Sequence, residues 1–234
     1  CIAQAQLIAS PTKSIPMSEV FPQELQAKIE KAGVLAVLVI DEVKHAVPVA
    51  EALLRGGIDS VELTLRTDAA LEAVIAIKEN VPAMTVGCGT VLTVKQLEEV
   101  RDAGADFGVS PGLNPRTLER AREVGLPFAP GIATASDVEL ALEFGCRLLK
   151  FFPCETSGGL KHLKVLAAPF RHLGVKFVPL GGVNLGNLTA YLEDRELIAA
   201  VGGSWLAPRD LIAAEDWEAI EVRARQAMAV VREA

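Results

Sequence analysis

Short apolar runs and helical stretches alternate eight times along this chain. The runs have the length and the β-branched and aromatic content of buried strands. The predicted strands cover residues 35–40, 60–65, 84–88, 107–110, 128–130, 148–152, 176–180 and 199–203. Regular alternation of this kind predicts parallel strands joined by crossover helices. Eight repeats of the unit favour an α/β fold of the (β/α)8 TIM barrel type, with an open doubly wound sheet as the alternative.

The predicted helices have polar residues at their starts. Thr93 with Gln96, and Ser136 with Glu139, have the spacing of capping boxes, in which each side chain binds the backbone N–H of the other residue. These signals place the first turns of two helices between predicted strands.

The first sixteen residues differ from the rest of the chain. Residues 1–16 contain one charged side chain, Lys13, and two prolines, with no basic segment ahead of an apolar core, so they make a poor signal peptide. We expect an N-terminal extension that is poorly ordered. Met17 is then the natural start, and residues 17–234 form a single domain. A short helix at 24–31 is predicted to cap the bottom of the barrel.

Charge and composition narrow the partners. The net charge is −7 and no long basic run occurs, which argues against nucleic acid as a partner. The longest apolar runs are only as long as strands, so no membrane span is predicted. Cys1, Cys88, Cys146 and Cys154 form no CxxC pair, a pattern that suits a reducing compartment. We therefore expect a cytoplasmic protein that binds a small molecule.

Lys150 is the most informative residue, because it lies inside the apolar run 148–152. A lysine is seldom buried unless it is paired or has a chemical role. Burial disfavours the charged amine and lowers its pKa, which makes the amine a nucleophile near neutral pH. The alternative is a lysine at the end of a strand whose amine reaches solvent.

Alternation along the second predicted strand gives Lys150 a partner. Glu62, Thr64 and Arg66 share one face of that strand, while the apolar residues between them face the helices. A carboxylate inside a barrel costs free energy unless it is paired or used. One interpretation is a structural ion pair between Glu62 and Arg66. On its own strand Lys150 shares a face with Phe152, so Lys150 is predicted to point inward, toward Glu62.

Glycines follow the last two predicted strands. Gly181 and Gly182 come after one strand, and Gly202, Gly203 and Ser204 end the other. In (β/α)8 barrels the loops after strands 7 and 8 usually bind phosphate, and glycine lets backbone N–H groups approach an anion. The alternative is a pair of tight turns without a ligand. No Walker motif or complete dinucleotide fingerprint occurs, so no nucleotide site is predicted.

The sequence predicts neither a metal nor a cofactor. His45, His162 and His172 fall in helices or in loops near them, without ligand spacing to carboxylates. A carbonyl-activating enzyme without a metal needs another electrophile. A lysine imine supplies one, because its protonated form draws electrons from the adjacent carbon.

Six ordered motifs resemble one family, the 2-keto-3-deoxy-6-phosphogluconate (KDPG) aldolases and the related 4-hydroxy-2-oxoglutarate (KHG) aldolases. The similarity runs from about residue 34 to 205 and continues toward the C-terminus. The motifs are Glu62-Leu-Thr-Leu-Arg66-Thr67, Gly87-Cys-Gly-Thr-Val-Leu92, Val109-Ser-Pro-Gly112, Lys150-Phe-Phe-Pro-Cys-Glu155, Pro179-Leu-Gly-Gly182 and Gly202-Gly-Ser-Trp205.

The resemblance implies a role for each matching residue. Lys150 corresponds to the lysine that forms the Schiff base, and Glu62 to the residue that moves protons through water. Arg66 and Thr90 correspond to positions that hold the substrate carboxylate. Phe152 corresponds to an aromatic wall of the pocket.

The resemblance also implies a phosphate site and an assembly. Gly181, Gly182, Gly203 and Ser204 correspond to the residues that bind the substrate phosphate. The family is independent of metals and is usually a homotrimer of barrels.

Three positions depart from the family pattern. Leu180 stands where the family often has threonine, which removes a hydroxyl near the sugar backbone and affects the expected specificity. Cys88 and Cys154 replace residues that are usually alanine. Since a buried free cysteine acts as a small apolar residue, neither is expected to be catalytic, although Cys154 is a candidate oxidation site.

The expected function is cleavage of KDPG to pyruvate and glyceraldehyde 3-phosphate by a class I aldolase of the Entner–Doudoroff pathway. The nearest alternatives are cleavage of KHG, or of the galactonate epimer of KDPG (KDPGal). A phosphosugar epimerase, which needs paired acid and base carboxylates, and a non-catalytic phosphosugar-binding barrel are more remote.

Overall fold

The structure, a computed structural model, describes residues 20–234. The predicted extension at 1–16 and the predicted start at Met17 lie outside these residues. The strands are β1 (Val34–Leu38), β2 (Ser60–Thr64), β3 (Thr85–Gly89), β4 (Phe107–Val109), β5 (Phe128–Ala129), β6 (Gly131–Ile132), β7 (Leu148–Phe151), β8 (Lys176–Pro179) and β9 (Val201–Gly203).

Helices follow or separate these strands in the predicted order. They are α1 (Gln23–Ala32), α2 (Ala46–Arg55), α3 (Ala70–Asn80), α4 (Val94–Asp102), α5 (Pro115–Val124), α6 (Ala135–Glu143), α7 (Gly159–Ala167), α8 (Leu188–Leu192), α9 (Arg209–Ala213) and α10 (Trp217–Glu233). Between residues 20 and 234 no helix is both long and apolar enough to cross a membrane.

All the paired strands run parallel and form a curled sheet in two sections. One section has the order β5-β4-β3-β2-β1-β9 and the other has the order β6-β7-β8. The chain passes from β5 to β6 through Pro130 alone. Two isolated parallel bridges, Phe177 with Ile198 and Leu180 with Gly202, join the two sections on the other side. The prediction of parallel strands with crossover helices is confirmed.

Strand residues are buried on both faces of the sheet, as expected where helices cover one side and strands enclose the other. Val61 and Leu63 of β2 belong to the large core between the sheet and the helices. Leu148 and Val178 belong to a second, smaller core inside the curl. The faces assigned to β2 and β7 from alternation are therefore confirmed.

Helix α1 extends the predicted helix by one residue at each end and lies against the inner core. Its Ile29 is 2% exposed and packs in that core. Phe21, just before the helix, has its ring centroid 5.8 Å from that of Phe107 at the start of β4. Glu30 accepts a hydrogen bond of 2.8 Å from Lys176 at the start of β8. Helix α1 thus contacts strands at their N-terminal ends.

One capping box lies two residues earlier than predicted. The hydroxyl of Thr134 accepts from the Asp137 N–H at 3.2 Å, and the Asp137 carboxylate accepts from the Thr134 N–H at 2.9 Å. The box predicted from Ser136 is wrong, because the helix already begins at Ala135 and includes Ser136. At α4 the predicted cap is confirmed on one side, since Thr93 accepts from the backbone of Gln96 at 3.2 Å.

The fifth predicted strand is interrupted. It was predicted over 128–130, whereas the structure has β5, a break at Pro130 and then β6. Proline has no N–H to donate to a neighbouring strand, so the backbone pairing changes sections there. Pro130 still accepts a hydrogen bond of 2.9 Å from the backbone N–H of Lys150, and thereby adjoins the strand that carries the candidate nucleophile.

Candidate active site

Lys150 and Glu62 form a buried pair inside the curled sheet. The Nζ of Lys150, on β7, donates to Oε1 of Glu62, on β2, at 2.7 Å. The two side chains are 11% and 3% exposed. The predicted inward orientation of Lys150 toward Glu62 is confirmed. The interpretations that placed the Lys150 amine in solvent, or paired Glu62 with Arg66, do not describe the structure.

Such a pair is weak support for stability and a better indication of a functional site. Two charges that leave water lose hydration free energy, which their attraction repays only with good geometry. Removal of one partner leaves an uncompensated charge and costs roughly 3–5 kcal/mol. A nucleophile within hydrogen-bond distance of a group that can take its proton is also the geometry of covalent catalysis.

The glycine at the end of β3 provides the space that Glu62 occupies. Gly89 pairs in register with Thr64, two residues after Glu62 on the neighbouring strand. A Cβ atom at Gly89 would lie 2.6 Å from Oε1 of Glu62 and 2.6 Å from a methyl group of Val109. Any side chain at this position would therefore displace the carboxylate or the wall behind it.

A small apolar cavity adjoins the pair. Its volume is about 20 Å³, which is enough for roughly one water molecule but offers almost no polar surface to bind one. Apart from Lys150 and Glu62 its lining is apolar, made up of Ile29, Leu35, Phe107, Val109, Ala129, Leu148, Val178 and Leu180. Apolar surroundings of this kind strengthen the electrostatic interaction within the pair.

Phe152 forms an exposed wall beside the amine. Its ring centroid lies 5.7 Å from Nζ of Lys150, which is within the range of a cation–π contact. Phe152 follows the end of β7 and is 37% exposed, so part of it is accessible to a ligand. Phe151, the preceding residue, is buried among the helices on the opposite face.

Arg66 and Thr90 lie beyond the ends of two adjacent strands. Arg66 follows β2 and is exposed, and Thr90 follows β3 directly and is half-buried. The two segments are held together, because the N–H of Leu65 donates to the carbonyl of Gly89. Among residues 20–234, Arg66 has no ion-pair partner within 4 Å. The structure therefore brings an available guanidinium and a hydroxyl to the same edge of the sheet.

Gly181 and Gly182, which we call the glycine turn, have backbone angles that other residues rarely adopt. Their φ values are 95° and 91°. In this left-handed region a side chain would add strain, which explains the need for glycine. The turn follows β8 and contacts the segment after Lys150. The N–H of Cys154 donates to the carbonyl of Leu180 at 2.7 Å, and that of Glu155 to the carbonyl of Gly181 at 2.9 Å.

The second glycine segment lies next to the first. A parallel bridge joins Leu180 to Gly202, so the ends of β8 and β9 are neighbours. Gly203 is buried and Ser204 is exposed. A Cβ atom on Gly203 would lie 2.3 Å from the indole ring of Trp205. The predicted placement of both glycine segments at adjacent strand ends is confirmed.

The cysteines of the described region are free and buried, and their pKa values differ from those of reactive thiols. Burial raises the pKa of Cys88 and of Cys146 to about 12. Burial also raises the pKa of Cys154, to about 11. The nucleophilic form of cysteine is the thiolate, so these thiols are poor nucleophiles at neutral pH. The burial of the Cys154 thiol and the hydrogen bond between Lys150 and Glu62 therefore favour Lys150 over Cys154 as the nucleophile.

The histidines have the packing and surface positions expected from the sequence. His45 is buried and contacts Glu215 at 3.1 Å, and the ring of His162 stacks on Phe151. His172 is exposed. Over residues 20–234 there is no group of three or more histidine, cysteine, aspartate or glutamate side chains placed to hold a metal ion.

Two contacts near the site were not predicted from the sequence. The hydroxyl of Tyr191, on α8, binds both Glu155 and Cys154. Tyr191 is the only tyrosine of the chain, and it lies in an apolar stretch. Because a buried phenol usually finds a hydrogen-bond partner, the presence of this tyrosine could have indicated such a contact. Nothing in the sequence pattern indicated which residues the partners would be.

The site combines a buried nucleophile–base pair with Arg66, which has no ion-pair partner among residues 20–234, and with two glycine segments at the ends of neighbouring strands. The chain is similar in sequence and fold to one family of enzymes. The family described as KDPG and KHG aldolase matches residues 25–223. The chain belongs to this family, whose members are lyases.

Two relatives illustrate the similarity in sequence. A 2-dehydro-3-deoxy-phosphogluconate aldolase from Dickeya dadantii is 45% identical over 196 residues, covering 84% of this chain and 91% of the relative. A KHG/KDPG aldolase from Escherichia coli K12 is 44% identical over 195 residues, covering 83% of this chain and 90% of the relative.

Two solved structures have the same fold. The KDPG aldolase of Zymomonas mobilis ZM4 with 3-phosphoglycerate is 40% identical, with a TM-score of 0.83 over 92% of this chain and 97% of that one. A KDPG aldolase from Legionella pneumophila, with pyruvate captured as a covalent carbinolamine, is 37% identical. Its TM-score is 0.81 over 88% of this chain and 97% of that one.

Proposed function

We propose that this chain is a class I aldolase that cleaves KDPG to pyruvate and glyceraldehyde 3-phosphate through a Schiff base on Lys150. The observation that carries the proposal is the 2.7 Å contact between Lys150 and Glu62, buried in a chain of this family. The Legionella relative, with its captured carbinolamine of pyruvate, supports the covalent step. The 3-phosphoglycerate on the Zymomonas relative supports a phosphorylated ligand.

The first half of the reaction forms the imine. Lys150 transfers a proton to Glu62, and the neutral amine attacks the C2 carbonyl carbon of the substrate. A proton then moves from the nitrogen to the former carbonyl oxygen, which gives a neutral carbinolamine. Glu62, acting through water, then returns a proton to the hydroxyl group, which leaves as water. The product of this half is a protonated imine between Lys150 and C2.

The second half breaks the carbon–carbon bond. Glu62, again acting through water, takes the proton of the C4 hydroxyl, the C3–C4 electron pair moves toward the iminium, and the C4 fragment leaves as an aldehyde. Glu62 then returns this proton to C3 of the remaining enamine, which gives the pyruvate imine. Water then attacks C2, and hydrolysis releases pyruvate and the free amine of Lys150. The iminium itself takes up the electron pair, so the scheme uses no metal and no cofactor.

Arg66, Thr90 and Phe152 hold the reacting end of the substrate in this proposal. The exposed guanidinium of Arg66 has the planar fork of donors that matches a carboxylate, and the hydroxyl of Thr90 lies on the same edge. The ring of Phe152, whose centroid lies 5.7 Å from the Lys150 amine, limits where the substrate chain can lie.

The phosphate end is assigned to Gly181, Gly182, Gly203 and Ser204. Two observations support this assignment. The two segments adjoin through the Leu180–Gly202 bridge, and the exposed Ser204 adds a hydroxyl donor. Main-chain N–H groups near glycine can approach an anion closely because no side chain intervenes.

Leu180 supports a second candidate substrate, KHG or the galactonate epimer KDPGal. The leucine is 5% exposed, lines the cavity beside Lys150 and occupies the space over Gly202. It offers no hydrogen bond to a substrate hydroxyl, so it weakens discrimination based on such a bond. The Escherichia coli relative carries both the KHG and the KDPG name.

The finer features of the fold and assembly are also proposals. We propose that the curled sheet closes into a full (β/α)8 barrel, with α1 as its lower cap and residues 17–234 as one domain. The continuity of the chain through Pro130 and the two bridges support closure. We also propose a homotrimer, supported by the family resemblance, and a cytoplasmic location, supported by the free thiols of the described residues.

A coupled assay tests the proposed function. Pyruvate release is followed through lactate dehydrogenase with KDPG, KDPGal and KHG as separate substrates. The proposal predicts pyruvate from KDPG, with kcat/KM higher than for the other two. A higher kcat/KM for KHG or KDPGal would mean that this compound is the preferred substrate, and the proposed aldolase reaction would stand. No pyruvate from any substrate by the folded protein would contradict the aldolase function.

A further inference from the structure

The buried hydroxyl of Tyr191 links two residues of the segment that follows Lys150. It lies 3.0 Å from Sγ of Cys154 and forms a hydrogen bond with Oε1 of Glu155. A carboxylate only accepts, so the Tyr191 O–H donates to Glu155. The remaining partner, the Cys154 S–H, then donates to the tyrosine oxygen. Burial raises the pKa of Tyr191 and that of Cys154, so both protons are in place at neutral pH.

Cys154 and Glu155 are also the residues that hold the glycine turn. Their backbone N–H groups donate to the carbonyls of Leu180 and Gly181, at 2.7 and 2.9 Å. The aliphatic part of Glu155 fills the space beside Gly182, where a Cβ atom would lie 2.6 Å from Cβ of Glu155. The Tyr191 hydroxyl is thus connected to the glycine turn in two ways, once through Cys154 and once through Glu155.

The position of the Glu155 carboxylate matters because a negative charge near a phosphate site opposes phosphate binding. Its Oε1 lies near Gly159, the first residue of the nine-residue helix α7, since a Cβ there would be 3.2 Å away. The hydrogen bond from the Tyr191 hydroxyl to Oε1 fixes the position of this charge, and the nearby N-terminus of α7 favours a negative charge there.

We infer that Tyr191 is a positioning residue, which fixes the glycine turn through Glu155 and thereby determines the affinity for the phosphate group of the substrate. The inference rests on the proposed function, because the phosphate role of the turn belongs to that proposal. The hydroxyl of Tyr191 forms no hydrogen bond with Lys150 or Glu62. Its effect is therefore expected at the phosphate end and not at the Schiff base.

The substitution Tyr191→Phe tests the inference, because it removes the hydroxyl and keeps the ring in the core. We expect the KM for KDPG to rise about tenfold, the effect of losing one hydrogen bond to a charged group. KHG has no phosphate, so its kcat/KM is expected to stay within about twofold of the parent value, for the same reason. Inhibition by inorganic phosphate, with KHG as the substrate, should weaken by the same factor as the KM for KDPG rises.

Two substitutions of Glu155 form a matched pair. Glu155→Gln keeps an amide oxygen that accepts from Tyr191, so the KM for KDPG should stay within about threefold. Glu155→Ala removes both the acceptor and the aliphatic stem beside Gly182, so it should reproduce the Tyr191→Phe pattern. The double variant, Tyr191→Phe with Glu155→Ala, should have a KM for KDPG no higher than that of the weaker-binding single variant, because both substitutions remove the same connection. Glu155→Ala also serves where Tyr191→Phe fails to fold.

The outcomes separate the inference from the proposed function. Equal losses for KDPG and KHG in both variants would show a merely structural role and overturn the inference. Tighter binding of KDPG by Glu155→Ala would overturn it too, because charge repulsion would then outweigh positioning. A parent protein that forms no pyruvate from either substrate would contradict the proposed function itself, whatever the variants do.

Discussion

The amine of Lys150 lies 2.7 Å from a carboxylate oxygen of Glu62, a residue 88 positions earlier in the chain. Lys150 belongs to one section of the curled sheet and Glu62 to the other. The pair therefore depends on the whole fold, and no local segment could form it. Burial of the two charges costs hydration free energy. Because charged groups that are buried at such a cost cluster at functional sites, we place the chemistry here.

Glu62→Gln should separate the proton-transfer role of Glu62 from its structural role. The amide keeps an oxygen that can accept from Lys150, so the buried amine keeps a hydrogen-bond partner, but the amide cannot take a proton. We expect kcat for KDPG cleavage to fall about 10²- to 10³-fold, the usual range for loss of a general base. Thermal unfolding should show a folded variant. A kcat within about threefold of the parent would exclude Glu62 from proton transfer.

Gly89→Ala tests whether the space beside Glu62 is required. The new Cβ would lie 2.6 Å from Oε1 of Glu62, so we expect a loss of about 1–3 kcal/mol in unfolding free energy and a lower kcat. Gly112→Ala is the matched control, because a Cβ there meets nothing within 4 Å. Urea denaturation and kinetics of both variants provide the comparison. Equal effects of the two changes would contradict the steric argument.

Arg66 should determine the affinity for the keto-acid end. Arg66→Ala is expected to raise the KM for KDPG and for KHG alike, about ten- to a hundredfold, since a charge-assisted contact is lost. Arg66→Lys should recover only part of this loss, because lysine lacks the planar fork. The exposed Arg116, on α5, supplies a control, and Arg116→Ala should leave both KM values unchanged. A loss confined to KDPG would move Arg66 to the phosphate end.

Cys88 should make stability depend on alkaline pH. Burial raises its pKa from 9.0 to about 12, so its contribution is fully present below pH 9 and is lost as the pH rises toward 12. The loss is at most about 1.4 kcal/mol per pH unit for one thiol. Urea denaturation between pH 8 and about 10.5 should give a shallower decline for Cys88→Ala than for the parent. Identical slopes would show that this thiol is not protected by the fold.

Much of the site could be predicted because it depends on strand alternation. Glu62 and Lys150 lie in strands with unambiguous apolar neighbours, so their common direction followed from the period of two residues. The glycine segments were placed equally well, because they directly follow strands. These signals are local, and the parallel fold then brings the strand ends together.

The rest depended on contacts that the sequence does not encode locally. The capping box predicted at Ser136 lies at Thr134, because β6 ends at Ile132 and the helix already begins at Ala135. Pro130 interrupts the fifth predicted strand, and the neighbours of the two resulting pieces, β4 for β5 and β7 for β6, depend on the whole fold. Tyr191 is recognisable in the sequence as the only tyrosine. Its partners Cys154 and Glu155 lie 37 and 36 positions earlier in the chain, so the sequence pattern did not reveal them.

Trapping of pyruvate with borohydride tests the central claim most directly. The parent protein is incubated with pyruvate, reduced, and analysed by intact mass and by peptide mapping, with Lys150→Ala and a pyruvate-free sample alongside. The account predicts one carboxyethyl adduct, located on the peptide that contains Lys150 and absent from both controls. An unmodified parent that is folded, or an adduct on another lysine, would contradict a Schiff base at Lys150.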